Sequence, residues 1–234
     1  MNHLFYHLEP YLTKIRSLRS LFIHRHYKNP WNLNIEWGDF NYNRIAFINL
    51  LLSRYSQSRY LEIGCASNAL FDSVYALSKT GVDPNNGGNI RMTSDEFFIT
   101  NKQEFDVVFI DGLHTYHQAR NDFINAAKCL SVGGIIAFHD MLPKNWIEAH
   151  PSPIIGGSWT GDVWKLAFEL KDICGEDFNI ISIDHGVGFV QNAQKYEIKS
   201  DHFDHYQSLP FEYYVSNFRN LPIISHAKAW EYFL

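Results

Sequence analysis

Cysteine is scarce in this chain, and the few residues stand apart. Cys65, Cys129 and Cys174 are three in number, and no two fall in a C-x-x-C pair. Their odd number and spacing argue against a disulfide framework, and a reduced, cytoplasmic setting is expected. Excess positive charge is also lacking. Twenty Lys and Arg stand against 25 Asp and Glu, a net charge of −5, so no polyanion surface and no nucleic-acid partner are expected. Long hydrophobic runs are missing as well. The longest, residues 45–52, is interrupted by Asn49 and is far shorter than the roughly 20 residues of a bilayer span. The N-terminal stretch does not join an apolar core to a small-residue cleavage site, so neither export nor membrane insertion is expected. What is present is a chain of 234 residues, 46% hydrophobic and 16% aromatic. That suffices for the core of one α/β domain with terminal additions.

Residues 60–83, YLEIGCASNALFDSVYALSKTGVD, are the most informative stretch. An apolar run (Tyr60, Leu61, Ile63) ends in a small-residue turn, and helical spacing follows at Leu70, Phe71, Val74, Tyr75 and Leu77. A second strand then closes on Asp83. A strand, tight loop, helix and strand ending in an acid hold the nucleoside half of a cofactor, because loop N–H groups approach the ligand and the acid accepts from ribose hydroxyls. A dinucleotide would need G-x-G-x-x-G, to seat its pyrophosphate on the helix N-terminus. Here Gly64 is followed by Cys65, Ala66, Ser67 and Asn68. A nicotinamide-dependent oxidoreductase is disfavoured on that ground. The spacing is instead E-x-G-x-x-x-N from Glu62, and asparagine tolerates the positive φ that a glycine would otherwise supply.

The strand–helix alternation continues, as in a doubly wound parallel sheet. A helical segment at 42–54 precedes the first strand. A third strand is expected at 89–92, with Ser94 and Asp95 opening the helix behind it. Residues 105–110 (FDVVFI) form a nearly unbroken apolar run, as in a strand buried on both faces. A helical stripe at Ala119, Phe123, Ala126, Ala127 and Leu130 follows, then a strand at 135–138. A helix is expected at 161–171, with Thr160 as N-cap. Segments 179–183 and 188–191 read as an antiparallel pair turning at Asp184-His185-Gly186.

Ligands of open α/β sheets sit beyond the carboxyl ends of the strands. At those ends stand Asp83, Asp95, Asp111 with His114, and His139 with Asp140. If the strands at 105–110 and 135–138 are neighbours, their tips lie about 5 Å apart. Asp111, His139 and Asp140 would then converge, and two carboxylates with an imidazole suit a divalent ion such as Mg or Mn. Helix capping is the competing reading for Asp111, Asp140 and Ser94. Asp95, with Ser94 beside it, is a candidate for the adenine amino group or ribose of a nucleoside cofactor.

The loop spacing resembles the first motif of class I S-adenosylmethionine-dependent methyltransferases, acid-x-Gly-x-x-x-Gly, with Asn68 in place of the last glycine. Five segments in order extend the likeness: GVDPN (81–85), RMTSDEFF (91–98), FIDGLHTYHQARND (109–122), GGIIAFHDMLP (133–143) and WTGDVWKLAFELK (159–171). Together they resemble the group related to macrocin O-methyltransferase and, more distantly, catechol O-methyltransferase. The resemblance implies a Rossmann-like, doubly wound, seven-stranded sheet, mostly parallel with an antiparallel C-terminal hairpin strand. It implies S-adenosylmethionine as cofactor, held by Glu62, Gly64, Cys65, Ala66, Asn68, Asp83, Ser94, Asp95 and Asp111. Asp111 matches an acid that binds magnesium in metal-dependent members. His139-Asp140 holds the position of their acid or amide pair, with His139 a departure. His114 stands where relatives carry a lysine that helps deprotonate the acceptor, so His114, His139 and Asp111 are the candidate catalytic residues, and an imidazole titrating near pH 6.5 suits the base role. The reaction implied is O-methylation of a small hydroxylated acceptor, a sugar or natural product. A catalytically silent S-adenosylmethionine-binding module is the alternative.

Three regions flank or interrupt the expected domain at 41–193. Residues 1–40 are expected to form a helical extension, with Leu8, Leu12, Ile15, Leu18 and Phe22 at helical spacing among basic residues. That pattern is expected to dock on its own domain or a second subunit rather than a membrane. A proline- and glycine-bearing loop at 142–158 is long enough to act as a lid. Trp146, Trp159 and Trp164 are candidates to line an acceptor pocket. The aromatic-rich segment 194–234 is expected to pack on the domain or form a homodimer contact.

Overall fold

Two alternating apolar faces on the central strands set the architecture. The computed structural model describes residues 42–154, 158–198 and 202–234, together with Leu18, Arg19 and Phe22. The amphipathic pattern at 1–40 and Gly156 and Gly157 of the 142–158 loop therefore lie outside the described residues, Leu18, Arg19 and Phe22 excepted. Strands β1 (Arg59–Ile63), β2 (Ser78–Val82), β3 (Phe105–Ile110), β4 (Leu130–Phe138), β5 (Phe178–Ile181), β6 (Val187–Gln191) and β7 (Ile223–Ile224) form one sheet in the order β2-β1-β3-β4-β6-β5-β7. Strand β6 runs antiparallel to both its neighbours, and every other pairing is parallel. The mostly parallel seven-stranded sheet with a reversed C-terminal hairpin strand is as expected.

Period-2 alternation divides the strand side chains between two cores. Leu61, Ile63, Val108, Ile110, Ile136 and Phe138 face one cluster. Helices α3 (Tyr116–Lys128) and α4 (Trp164–Cys174) cover that face with Ala119, Phe123, Leu166 and Leu170. Tyr60, Val107, Phe109, Ile135 and Ala137 face the other, packed by Phe47, Ile48 and Leu51 of α1 (Arg44–Leu52) and Phe233 of α7 (His226–Phe233). All six residues of β3 are buried. Helix α2 (Ser94–Thr100) carries a capping box between Thr93 and Glu96.

Several local expectations are corrected. Residues 66–77 do not form the helix that Leu70, Phe71, Val74, Tyr75 and Leu77 suggested; they form turns, with Tyr75 and Leu77 exposed. The reason is competition for the backbone. Asn49 of α1 takes Tyr75 N–H on its Oδ1 and donates to Ser73 O, while Lys79 Nζ donates to Phe71 O at 2.6 Å. Side chains thus satisfy groups that a helix would have paired internally. The third strand at 89–92 shrinks to a single bridge between Val82 and Ile90. The sheet's seventh strand is instead β7, paired in parallel with β5 at the edge. Helix α4 begins at Trp164 rather than 161, and Thr160 does not cap it, since its hydroxyl donates to Glu148 O. Ser94 lies inside α2, whose N-cap is Thr93. Capping does not account for Asp111 either: Thr115 is the N-cap of α3, and Asp162 Oδ1 accepts from Tyr116 N–H.

Residues 202–234, which open with helix α5 (His202–Gln207), pack on this frame. Helix α6 (Phe211–Asn217) sets Phe211, Tyr213 and Tyr214 against Trp164 and Phe168 of α4. The buried Tyr214 hydroxyl donates to Pro143 O at 3.1 Å. The described part of the 142–158 loop is tied down similarly: Leu142 N–H donates to His185 O, and Thr160 N–H to Glu148 O.

One polar feature joins α3 to α4. Arg120 Nε lies 2.9 Å from Glu169 Oε1, and the Tyr116 hydroxyl donates to Glu169 Oε2 at 2.8 Å, with all three side chains buried. Removing one partner of a buried pair leaves an uncompensated charge, which costs about 3–5 kcal/mol. Glu169→Ala is therefore expected to lower the unfolding free energy by about that amount in urea titration. A loss below about 1 kcal/mol would show that the pair is not a structural tie.

Candidate active site at the carboxyl edge of the sheet

Gly64 follows β1, Asp83 follows β2, Asp111 follows β3, and His139 and Asp140 follow β4. Because β3 and β4 are parallel with Ile110 opposite Phe138, the residues after each strand meet at one edge. Two clefts open there. The first, about 410 Å³, is lined by Gly64, Ala66, Asp83, Ser94, Asp95 and Asp111, among others. The second, about 290 Å³, is lined by Arg44, Glu62, Cys65, His139, Asp140 and Trp159, among others. Gly64, Ala66, Asp111 and His114 belong to both walls.

The loop after β1 is shaped by a second loop. Gly64 has φ +86, and a Cβ there would strike the carbonyl oxygen of Asp111, so only glycine fits. Asn68 adopts φ 65, the left-handed conformation expected of it. Its Oδ1 accepts from Gly88 N–H at 2.7 Å, which ties the loop to residues 84–89. Asp83 binds the same two loops. Its Oδ2 accepts from Ala66 N–H at 2.9 Å, and its Oδ1 accepts from Asn85 and Asn86 N–H at 2.8 Å each. Burial pushes this carboxyl up, yet the three backbone donors outweigh it and hold its pKa below the ordinary value. One lone pair on Oδ2 is left for a ligand. Asp83 therefore shapes the loop as much as it can bind a hydroxyl.

A charged cluster fills the wall between the clefts. His139 Nδ1 lies 3.3 Å from Asp111 Oδ1 and 3.1 Å from Asp140 Oδ1. His114 Nε2 lies 3.4 Å from Asp111 Oδ1, and its Nδ1 lies 2.8 Å from Trp159 O and 3.1 Å from Asp140 Oδ2. The His114 ring stacks on Trp159 at 4.9 Å. Burial disfavours charged imidazoles here, but Asp111 and Asp140 raise His139 well above its ordinary pKa and raise His114 as well. Asp111, although buried, is lowered by His139 and His114 in return. Of the three tryptophans considered, Trp159 lines a cleft, whereas Trp146 and Trp164 are buried among core side chains.

The cluster also contains residues that sequence reasoning missed. Asp184 and His185, at positive φ in the β5–β6 turn, reach the same edge because the hairpin reverses there. Asp184 Oδ1 lies 3.6 Å from His139 Nε2, and its Oδ2 lies 2.6 Å from Arg44 Nη1. The hairpin turn was legible, but its approach to His139 follows only from β6 pairing with β4.

One ligand atom from each of Asp111, His139 and Asp140 lies within 4.8 Å of the others, and no other such group occurs among the described residues. The spacings of 3.1 and 3.3 Å are close to the ~3.0 Å separating adjacent ligands around an octahedral ion at ~2.1 Å. His139 Nε2 is buried without a hydrogen-bond partner and faces Asp184, the arrangement in which a metal-bound imidazole gives its other N–H to a carboxylate. The donor set fits a divalent cation.

The sheet order, with β6 alone reversed, is that of a Rossmann-like, doubly wound fold. Residues 63–141 match the family described as a methyltransferase domain. No curated protein matches the sequence. Among solved structures, the chain is similar to the N-methyltransferase NodS from Bradyrhizobium japonicum, with 18% identity and a TM-score of 0.40 over 62% of this chain and 90% of that one. The O-methyltransferase from Bacillus cereus shares 14% identity at a TM-score of 0.45, over 68% of this chain and 84% of that one. The MycE methyltransferase of the mycinamycin pathway shares 18% identity at a TM-score of 0.43, over 66% of this chain; the match spans 51% of MycE.

Glu62 gives a test that does not depend on ligands. It lies buried beneath the second cleft and accepts from the Tyr60 hydroxyl at 2.6 Å. Burial pushes its carboxyl up to about 7 against that hydrogen bond, with Asp111 adding to the rise. An acid raised above its unfolded pKa, near 4.3, is fully tolerated below that value and loses stability as pH rises toward about 7. The loss approaches ~3 kcal/mol, and Glu62→Gln, which keeps an acceptor for Tyr60, removes it. The variant's melting temperature relative to the parent is expected to climb between pH 5 and 8. A difference independent of pH would show that Glu62 is not buried as an acid.

Proposed function

We propose that the protein transfers the methyl group of S-adenosylmethionine to a hydroxyl of a small acceptor, a sugar or natural product. The observation that carries this reading is the pair of clefts sharing one wall at Gly64, Ala66, Asp111 and His114. A donor and an acceptor bound on either side meet at Asp111 and His114. The first cleft is the donor site: Gly64 and Ala66 border the methionine and ribose portions, Asp83 Oδ2 accepts from ribose, and Ser94 and Asp95 face the base. Glu62, Cys65 and Asn68 act beneath the loop rather than on the ligand. The turns at 66–77 favour this donor over a dinucleotide, since no helix N-terminus follows the loop to receive a pyrophosphate.

In the second cleft the protein's task is to position a hydroxyl and remove its proton. His114 is the base in this reading. It is less buried than His139, and its Nδ1 lies 2.8 Å from Trp159 O, which fixes the ring, while Nε2 faces Asp111 Oδ1 at 3.4 Å in the wall shared by the two clefts. Asp111, His139 and Asp140 hold a divalent cation, Mg or Mn, which when bound supplies a Lewis acid for the acceptor oxygen. Asp184 and Arg44 orient His139. Stacking on Trp159 keeps the His114 ring aligned with the cleft.

Two measurements test the reading. Calorimetry is expected to show binding of S-adenosylhomocysteine and none of NAD, and the reverse result would refute the donor assignment. Manganese is expected to raise the melting temperature, since a ligand of the native state stabilises it, and Asp140→Asn is expected to abolish the shift while retaining S-adenosylhomocysteine binding. An unchanged shift would remove the metal from the proposal. With an acceptor in hand, His114→Ala is expected to lower turnover by about 10²–10⁴-fold with donor affinity kept; near-parental turnover would dismiss His114 as base.

A further inference from the structure

The far end of the larger cleft is closed by a hydrogen-bonded group that the reading above leaves without a role. Gln118 of α3 lines the cleft beside Thr93, Ser94, Asp95 and Leu113. Its Nε2 lies 3.1 Å from Asp95 Oδ1, 3.1 Å from Asp122 Oδ1 and 3.2 Å from Ser94 Oγ. An amide nitrogen carries two hydrogens and its oxygen carries none. Two carboxylates therefore hold both donors. Turning the amide over would press its oxygen against the same carboxylates with no proton between them. The orientation of Gln118 is thus set by charge, and the atom left for a ligand is Oε1, an acceptor only. Asp122 is buried behind the Gly112 turn and does not line the cleft, so it acts through Gln118.

We propose that Gln118 selects the purine of the methyl donor. Its Oε1 accepts a hydrogen bond from the exocyclic amino group of adenine and rejects a 6-oxo base, which would present a second acceptor there. Asp122 is the positioning residue that keeps the amide in this sense. The proposal rests on the reading of this cleft as the S-adenosyl site.

The test compares S-adenosyl-L-homocysteine with S-inosyl-L-homocysteine, its 6-oxo counterpart, by calorimetry on the full chain. The titration is run at pH 8, because burial, reinforced by Asp95, pushes the Asp122 carboxyl up to about 6 and it must be ionised to hold the amide. The parent is expected to favour the adenosyl compound by about tenfold or more, the scale of one well-placed polar contact whose loss leaves a buried group unpaired. Gln118→Met, similar in length and free of polar hydrogens, is expected to bring the ratio close to one in a variant that keeps the parent's circular dichroism spectrum. Asp122→Asn supplies a donor in place of a carboxylate, lets the amide turn over, and is expected to narrow the ratio without touching the ligand. A parental ratio retained in Gln118→Met, or equal binding of both compounds by the parent, would overturn the proposal while leaving the donor site standing. Binding of neither compound by the parent would overturn the donor reading, and the role of Gln118 with it.

Discussion

The parallel pairing of β3 with β4 is the constraint on which the site depends. With Ile110 opposite Phe138, the residues that follow, Asp111 and His139, must emerge side by side. Three carboxylates, two imidazoles and one guanidinium gather around that point: Asp111, Asp140, Asp184, His114, His139 and Arg44. Such a concentration of acids in a buried wall is unfavourable unless cations or hydrogen bonds offset it. The imidazoles of His114 and His139 and the guanidinium of Arg44 face these acids and offset them, and a divalent ion would serve the same purpose. Asp140 itself sits at φ 63, so the chain accepts left-handed backbone to bring this carboxylate into the cluster.

A second dependence is that of one loop on another. In the expected unit, a glycine-rich turn leads into a helix whose first turn braces it. Here the segment after β1 is braced from the side. Asn68 holds Gly88, and Asp83 holds Ala66, Asn85 and Asn86, so the loops after β1 and β2 form one hydrogen-bonded unit. Asn68 thereby does two things that glycine could not do together. It occupies the left-handed region, and it supplies an acceptor that fixes residues 84–89. The same bonds occupy most of the acceptor capacity of Asp83.

The C-terminal residues are integral to the frame rather than appended to it. Strand β7 extends the sheet beyond β5, α7 closes the core under α1, and Tyr214 reaches Pro143 beside the active-site edge. The segment after β4 is held by Tyr214, Glu148 and His185 in the described residues. Aromatic side chains do most of this, because a large rigid ring buries much area at little entropic cost and a hydroxyl at its tip finds a carbonyl.

How much of this was legible follows from the range of each interaction. Apolar runs such as FDVVFI, the turn at Asp184-His185-Gly186 and the acids at the strand ends are local patterns. They determined the sheet, its reversed hairpin and the candidates Asp111, His114, His139 and Asp140. The helical spacing at 70–77 is not realised because Asn49, from α1, and Lys79 take backbone groups of that segment, and the 89–92 segment pairs only through the Val82–Ile90 bridge. Asp184 and Arg44 were invisible as site residues because their approach is created by β6 pairing with β4 and by α1 packing beneath the sheet. By itself, then, the sequence determined which residues are acids and bases at strand ends, since alternation and turn chemistry act over a few residues. Only the tertiary structure decided which of those groups share a proton, a carbonyl or a cleft, because distances of 3 Å between residues 140 apart, such as Arg44 and Asp184, are set by the packing of the whole sheet.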